Sequence, residues 1–223
     1  MGIIAKSGVY IEKNWKTVSY ASLGVFLILL AIIIYIYMKP PTRILIIADD
    51  VFKNKTHAKH LIIDGVLYAF YNNKTIIGHY NILHIIDNLM ATNNVSKVQS
   101  VGLMYHSPGK DELGMFSNAE IVKVIDTDTS LSNLKKYDDF ILFTRLIQCR
   151  TGATNLDMIS CSLVQNPDSK LFSYIDIHAL LNVNASTNIT GGEGEWVLEQ
   201  GDRDLIGRYF NHAIKKSDLR LIA

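Results

Sequence analysis

The residues most able to do covalent chemistry in this chain are His106 and Cys161. A thiolate is a good nucleophile, and an imidazole at hydrogen-bond distance can generate the thiolate and later protonate a leaving group. His106 precedes Cys161 by 55 positions, so only the fold can bring the two side chains together. The sequence therefore raises a dyad as a hypothesis, in which Cys161 is the nucleophile and His106 is the base.

A structural role for both residues is the alternative. Free cysteine is among the most often buried residue types and commonly only packs in a core. A single histidine at the end of a strand is more often a hydrogen-bonded structural residue than a catalyst. The spacing alone favours this structural role, so the dyad needs support from the elements around it.

Strands and helices alternate along most of the chain after residue 42. The run RILIIA, at residues 43–48, is largely apolar and β-branched, as expected for a strand buried on both faces of a parallel sheet. The predicted fold class is α/β, with a mostly parallel sheet flanked by helices. His106 and Cys161 each directly follow a predicted strand, at the sheet edge where ligands bind. The predicted strands are 43–48, 67–71, 98–105, 156–160 and 195–199, and the predicted helices are 56–66, 81–90, 131–148 and 168–183.

The composition excludes several classes of function. There are 22 Lys and Arg against 21 Asp and Glu, so the chain lacks the basic excess of a nucleic-acid-binding domain. Cys149 and Cys161 are too few for a disulfide framework or a four-ligand zinc site, although one bridge between them stays open. The histidines between residues 57 and 84 lack the spacing and acidic companion of a zinc-binding helix. We therefore predict no metal and no cofactor.

Residues 18–38, VSYASLGVFLILLAIIIYIYM, are predicted to form a transmembrane helix. The segment carries no charge over about 20 residues, which is the length that crosses the hydrocarbon core of a bilayer. Tyrosines lie near both ends, where aromatic rings favour the membrane interface, and Pro40 and Pro41 stop the helix. A cleaved signal peptide is the alternative, but the apolar run is longer than a signal core and no small-x-small cleavage site follows it. A retained single-pass anchor is therefore favoured.

The chain is expected to have four parts: an N-terminal flank at 1–17, the transmembrane helix at 18–38, the α/β domain at 43–201 and a helical tail at 202–223. Three lysines precede the span, and Lys39 and Arg43 follow it, so an excess of one charge predicts a cytoplasmic N-terminus. The expected partners are a lipid bilayer and a protein partner or larger assembly. The abundance of Ile, Asn and Lys fits a large DNA virus, which makes a virion membrane one candidate location.

Four motifs in this order resemble the domain of unknown function 4347 family. They are YHSPGKDELG at 105–114, DMISC at 157–161, NAS at 184–186 and TGGEGEWVLE at 190–199. The match covers roughly residues 43 to 201. The resemblance implies a fold related to the caspase-like cysteine peptidases, in which a His lies about 50 residues before the Cys. It also implies that the histidine and cysteine of the family correspond to His106 and Cys161.

Two departures from the family pattern bear on catalysis. Ser107 and Ser160 stand where the family has a glycine directly after the His and directly before the Cys. The resemblance implies that backbone amides near these glycines form an oxyanion hole, and a side chain there can tilt the amides or block the substrate. The sequence therefore favours a membrane-anchored, non-catalytic interaction or structural module, for example in a virion or membrane assembly. The alternative is a caspase-like cysteine endopeptidase that uses the dyad of His106 and Cys161.

Overall fold

The computed structural model divides the chain into two compact units, Met1–Pro40 and Pro41–Ala223. It describes residues 20–33, 41–72, 79–106, 112–113, 122–123, 131–160, 175, 177–188, 190, 196–199, 201, 203–211, 214–215 and 217–219. In the first unit the described residues form one helix, α1, at 20–33. Its large apolar side chains are exposed, from 39% at Leu30 to 73% at Tyr20. The predicted span at 18–38 is longer than this helix, and its two ends lie outside the described residues. Across all the described ranges, no helix is both long enough and apolar enough to cross a bilayer.

The second unit is built on a five-stranded sheet in the order β2-β1-β3-β6-β7, and every pair of neighbours in it is parallel. This architecture confirms the predicted α/β class with a parallel sheet. Two antiparallel pairs, β4 with β5 and β8 with β9, lie outside the main sheet. The strands are β1 Arg43–Ala48, β2 Val66–Tyr71, β3 Ser100–Met104, β4 Glu112–Leu113, β5 Val122–Lys123, β6 Asn155–Ile159, β7 Asn182–Ala185, β8 Val197–Leu198 and β9 Arg203–Asp204.

The helices of this unit are α2 Lys55–Leu61, α3 His79–Thr92 and α4 Leu131–Thr151. Asn54 caps α2, because its side-chain oxygen accepts the N–H groups of Thr56 at 2.8 Å and His57 at 3.3 Å. The connection from β1 to β2 runs toward one edge of the sheet. The connections from β2 to β3 and from β3 to β6 run toward the opposite edge. Right-handed crossovers therefore place α2 on one face of the sheet and both α3 and α4 on the opposite face.

The strands form the centre of the hydrophobic core. Residues 44–48 of β1 are fully buried, and β3 is buried along its whole length. Burial on both faces explains why these strands are nearly continuous apolar runs rather than alternating patterns. The central strands therefore end in register, at one well-defined edge of the sheet.

The C-terminal residues cover the sheet face that carries α2. The N–H of Asn211 donates to the Leu61 carbonyl at 2.7 Å, and Phe210 pairs with Ile62 through an isolated bridge. A helical tail is predicted at 202–223, whereas its described residues form β9, turns and isolated bridges. The difference has a physical reason, since Tyr209 and Phe210 are fully buried against the sheet and Gly207 has a φ of 73°, which is incompatible with a continuous helix.

Candidate functional site

The carboxyl ends of the five parallel strands form one edge of the sheet, and polar side chains lie there. The strand order reverses at β1, because β2 lies on one side of it and β3 lies on the other. Crevices at such reversal points are the usual ligand sites of doubly wound sheets. Asp49 and Asp50 follow β1, and Tyr105 and His106 follow β3, so polar residues flank the reversal point on both sides.

His106 is half-buried, and its ring contacts the loop after β1. Its Nε2 atom lies 3.3 Å from the backbone carbonyl oxygen of Asp50. A carbonyl oxygen only accepts hydrogen bonds, so in this contact Nε2 donates its proton and Nδ1 of the neutral ring keeps its lone pair. The contact therefore fixes the tautomer that leaves one ring nitrogen able to accept a proton.

The strands that precede His106 and Cys161 are direct neighbours. β3 and β6 are parallel, and the N–H of Tyr105 continues the pairing by donating to the Ile159 carbonyl at 3.2 Å. The chain from β6 is described as far as Ser160, and Cys161, the next residue, lies outside the described residues. The structure therefore brings together the two strand ends that the dyad requires, while the position of the Cys161 sulfur is not described.

Ser160, at the position where the resemblance predicts a glycine, is only 3% exposed. Its N–H donates to the Met158 carbonyl at 3.2 Å, and its carbonyl accepts the hydroxyl of Thr190 at 3.2 Å. Because this N–H is already engaged, it is not a ready donor to an oxyanion. The Ser160 hydroxyl is buried and has no hydrogen-bond partner among the described residues. Ser107, the other position where the resemblance predicts a glycine, lies outside the described residues.

Two buried tyrosines lie beside His106 at this edge. Tyr71 ends β2 and Tyr105 follows β3, and each is 4% exposed. Burial raises the pKa of both hydroxyls, and the negative charges of Asp50 and Asp49 raise the pKa of Tyr71 further. The Tyr105 hydroxyl has no partner in the part of the chain that the structure describes. Two buried hydroxyls and two carboxylates therefore lie together at this edge. We name Asp50, Tyr71, Tyr105, His106 and Ser160 the edge cluster.

A second polar cluster lies on the sheet face, around Asp157 in the middle of β6. Asp157 is fully buried, and its Oδ1 accepts Asn184 Nδ2 at 2.6 Å and Arg203 Nε at 3.3 Å. Its Oδ2 accepts the Tyr209 hydroxyl at 2.7 Å, and the Tyr209 oxygen in turn accepts the Ser100 hydroxyl at 3.0 Å. Burial, and next the charge of Asp157, raise the pKa of Tyr209. We name these five residues the Asp157 cluster.

Two glycines provide the space that the Asp157 cluster needs. Gly102 lies opposite Asp157 in the sheet, and a Cβ there would lie 3.0 Å from the ring of Tyr209. Gly201 has a φ of 98°, and a Cβ there would lie 1.9 Å from the side-chain oxygen of Asn184. The ring of Tyr209 reaches Asp157 across a strand position that has no side chain. This arrangement indicates that the cluster attaches the C-terminal residues to the sheet.

The other candidate residues of the sequence do not form a site within the described part of the chain. There, no three His, Cys, Asp or Glu side chains lie close enough together to hold a metal ion. Cys149 is a free cysteine on the exposed surface of α4. His57 lies 3.2 Å from the carboxylate of Asp218, and His84 contacts the amide of Asn88 at 3.2 Å. These histidines make local surface contacts rather than converging on one point.

Sequence reasoning did not identify the group that orients His106. The Asp50 carbonyl is a backbone atom, so no residue type signals it. The available signal was positional, since Asp49 and Asp50 directly follow the most apolar strand, β1. Sequence reasoning also missed the Asp157 cluster, whose members come from four strands and the C-terminal residues.

The fold and the described site define a doubly wound α/β domain that carries a histidine at the reversal point of its sheet. Comparison of the chain with family models, curated proteins and solved structures finds no match. The resemblance to the domain of unknown function 4347 family therefore stays a prediction.

Proposed function

We propose that this chain is a membrane-tethered cysteine peptidase of the caspase-like type, in which Cys161 is the nucleophile and His106 the general base. The observation that carries the proposal is the 3.3 Å contact between His106 Nε2 and the Asp50 carbonyl. A catalytic base is commonly oriented by a third group, and the Asp50 carbonyl supplies it here. His106 also lies at the end of the strand that pairs with the strand leading to Cys161.

The proposed reaction is hydrolysis of a peptide bond in two steps. His106 takes the thiol proton of Cys161, and the sulfur attacks the scissile carbonyl carbon to form a thioester. The protonated His106 then donates its proton to the leaving amine. His106 then takes a proton from water, and the resulting hydroxide attacks the thioester carbonyl carbon. The carbon–sulfur bond breaks, the carboxylic acid product leaves, and His106 returns the proton to the Cys161 sulfur.

A non-catalytic interaction module in a membrane assembly is the second candidate, and Ser160 is the observation that favours it. The N–H of Ser160 donates to the Met158 carbonyl, so this N–H is not available to stabilise a substrate oxyanion. In this alternative His106 and Tyr105 have structural or partner-binding roles, and the tethered domain contributes a surface instead of a reaction.

Labelling by a thiol-reactive probe separates the two candidates, and Cys149 provides a matched control. The chain has only two cysteines, and Cys149 is exposed on α4. We expect the full chain in detergent to react with a mixed-sequence peptide acyloxymethyl ketone at Cys161. Cys149→Ala should keep this labelling, and both Cys161→Ala and His106→Gln should lose it. Equal labelling of the wild type and His106→Gln would instead support the interaction module.

The tether is proposed from residues 18–38, which are uncharged, and from the exposed apolar side chains of α1. We expect the full chain to remain in membranes after alkaline carbonate washing. Replacement of both Ile28 and Leu29 by Arg should release it, since each charge near a bilayer centre costs about 2.5–3.5 kcal/mol on the insertion scale. Release of the wild-type chain by the same wash would contradict the tether.

A further inference from the structure

One face of α4 carries an exposed stripe that the domain core does not use. Asp138, Leu142, Arg145 and Cys149 are all exposed, and Leu142 is a large apolar side chain at 48% exposure. In a helix with 3.6 residues per turn, these positions fall within about 60° of one another. They therefore form one continuous line along the outside of the helix, distinct from the buried line that includes Ile141.

The stripe borders a groove that both polar and apolar side chains line. Residues 177–180 run beside α4 and present Ile177 at 76% exposure and Leu180 at 58% exposure. A cavity of about 180 Å³ opens between the two segments, lined by Asp138, Ile141, Leu142, Arg145 and His178. A cavity of about 150 Å³ is large enough for a benzene-sized group, so this one can accept an aliphatic side chain.

The charged residues at the two ends of the groove are well placed for recognition. The guanidinium of Arg145 donates to the His178 carbonyl from Nε at 3.3 Å and from Nη2 at 3.1 Å. These bonds hold the cation in position before any partner arrives, which lowers the entropy lost on binding. Asp138 has no ion-pair partner among the described residues, so its carboxylate remains available to an incoming cation.

The order of these residues is self-complementary. Asp138 and Arg145 are seven positions apart, and the midpoint between them falls between Ile141 and Leu142. If two copies of α4 pack antiparallel about a two-fold axis through that midpoint, Asp138 of each copy faces Arg145 of the other. Leu142 of each copy then faces the cavity beside Ile141 of the other. An isologous two-fold interface requires this kind of self-matching surface.

We propose that the chain forms a homodimer through the α4 stripe, with Leu142 at the two-fold axis and Asp138 paired with Arg145 of the second copy. The two ion pairs fix the antiparallel register, and the exposed apolar residues Leu142, Ile177 and Leu180 provide the buried centre of the interface. This inference does not depend on the proposed peptidase activity, because none of these residues belongs to the edge cluster.

Charge reversal tests the dimer on the full chain in detergent. Sedimentation velocity over a range of concentrations should show a dimer for the wild type. Asp138→Arg and Arg145→Asp should each place like charges opposite one another and weaken association at least tenfold. The variant that carries both reversals restores opposite charges across the two-fold axis, so it should recover the dimer. This recovery excludes misfolding as the cause of the single-variant effect.

A cysteine placed at the axis gives an independent readout. In a Cys149→Ser background, Leu142→Cys should form an intermolecular disulfide on mild oxidation. Tyr80→Cys, at a 70% exposed site on α3, is the matched control and should not. A monomeric wild type at every concentration would overturn the proposal. A dimer that survives both single reversals would also overturn it, because the chain would then assemble through another surface.

Discussion

The domain contains two buried polar clusters that differ in how completely their buried polar atoms are hydrogen-bonded. In the Asp157 cluster, the buried carboxylate has a partner for each oxygen, and none of the buried side-chain polar atoms of its members lacks a hydrogen bond in the described structure. In the edge cluster, the hydroxyls of Tyr105 and Ser160 are buried without a partner among the described residues. Both clusters belong to the same sheet: β3 and β6 contribute residues to the Asp157 cluster, and the residues directly after these two strands contribute to the edge cluster.

This difference separates a structural site from a candidate functional site. A fully hydrogen-bonded buried network stabilises one conformation, whereas an incompletely bonded one loses stability that the fold must supply elsewhere. The carboxyl edge of a parallel sheet is where ligands usually bind. The Asp157 cluster therefore fixes the C-terminal residues on the sheet, and the edge cluster, in which two hydroxyls have no partner among the described residues, is the candidate functional site.

The largest expected effect is that of Asp157→Ala on stability. The change leaves Arg203 and the hydroxyl of Tyr209 without their buried partner, and removal of one member of a buried ion pair costs about 3–5 kcal/mol. Urea unfolding of the full chain in detergent, followed by tryptophan fluorescence, should show this loss. His106→Gln is the control, and it should change the unfolding free energy by less than about 1 kcal/mol while it abolishes probe labelling. Equal destabilisation by both variants would remove the distinction between the clusters.

Alkaline pH should act on both clusters together. Burial raises the pKa of Tyr71, Tyr105 and Tyr209 above the ordinary tyrosine value of about 10. The unfolded chain then releases tyrosine protons that the folded chain keeps, so stability is complete below about pH 10 and falls as pH rises above it. Each tyrosine contributes a slope of up to about 1.4 kcal/mol per pH unit. Unfolding free energies measured on both sides of pH 10 check the prediction, which a flat profile would contradict.

The sheet could largely be predicted from the sequence, because its central strands are long apolar runs. β1 and β3 and the helix α3 lie within a few residues of their predicted positions. The strand β7 was missed, since its sequence NVNA is short and half polar and the preceding segment suggested a helix. The structure explains the polarity, because Asn184 is buried and donates to Asp157 on the neighbouring strand β6. Asn184, whose polarity argues against a strand in the local sequence, is therefore the residue that the Asp157 cluster requires.

The site could be predicted only in part, for a similar reason. His106 was found because imidazole is a recognisable chemical group at a predicted strand end. Its hydrogen-bond acceptor on Asp50 is a backbone atom, and only the parallel pairing of β1 with β3 brings it within reach. Asp157 was missed because a carboxylate in the middle of a buried strand depends on partners from distant segments, of which Arg203 and Tyr209 come last in the chain.

The smallest expected effect comes from replacing one tyrosine of each cluster by phenylalanine. This pair of variants compares the clusters most directly, because the unfolding free energy should fall in one cluster and stay unchanged or rise in the other. Tyr209→Phe removes a hydrogen bond to a buried carboxylate and should cost about 1.5–3 kcal/mol of unfolding free energy. Tyr105→Phe removes a buried hydroxyl that has no described partner, so it should leave stability unchanged or raise it by up to about 1 kcal/mol. If Tyr105 contacts substrate or positions His106, the same variant will slow probe labelling although the fold is no weaker. A Tyr105→Phe protein that is destabilised as much as Tyr209→Phe would mean that the edge cluster is a structural network like the other one.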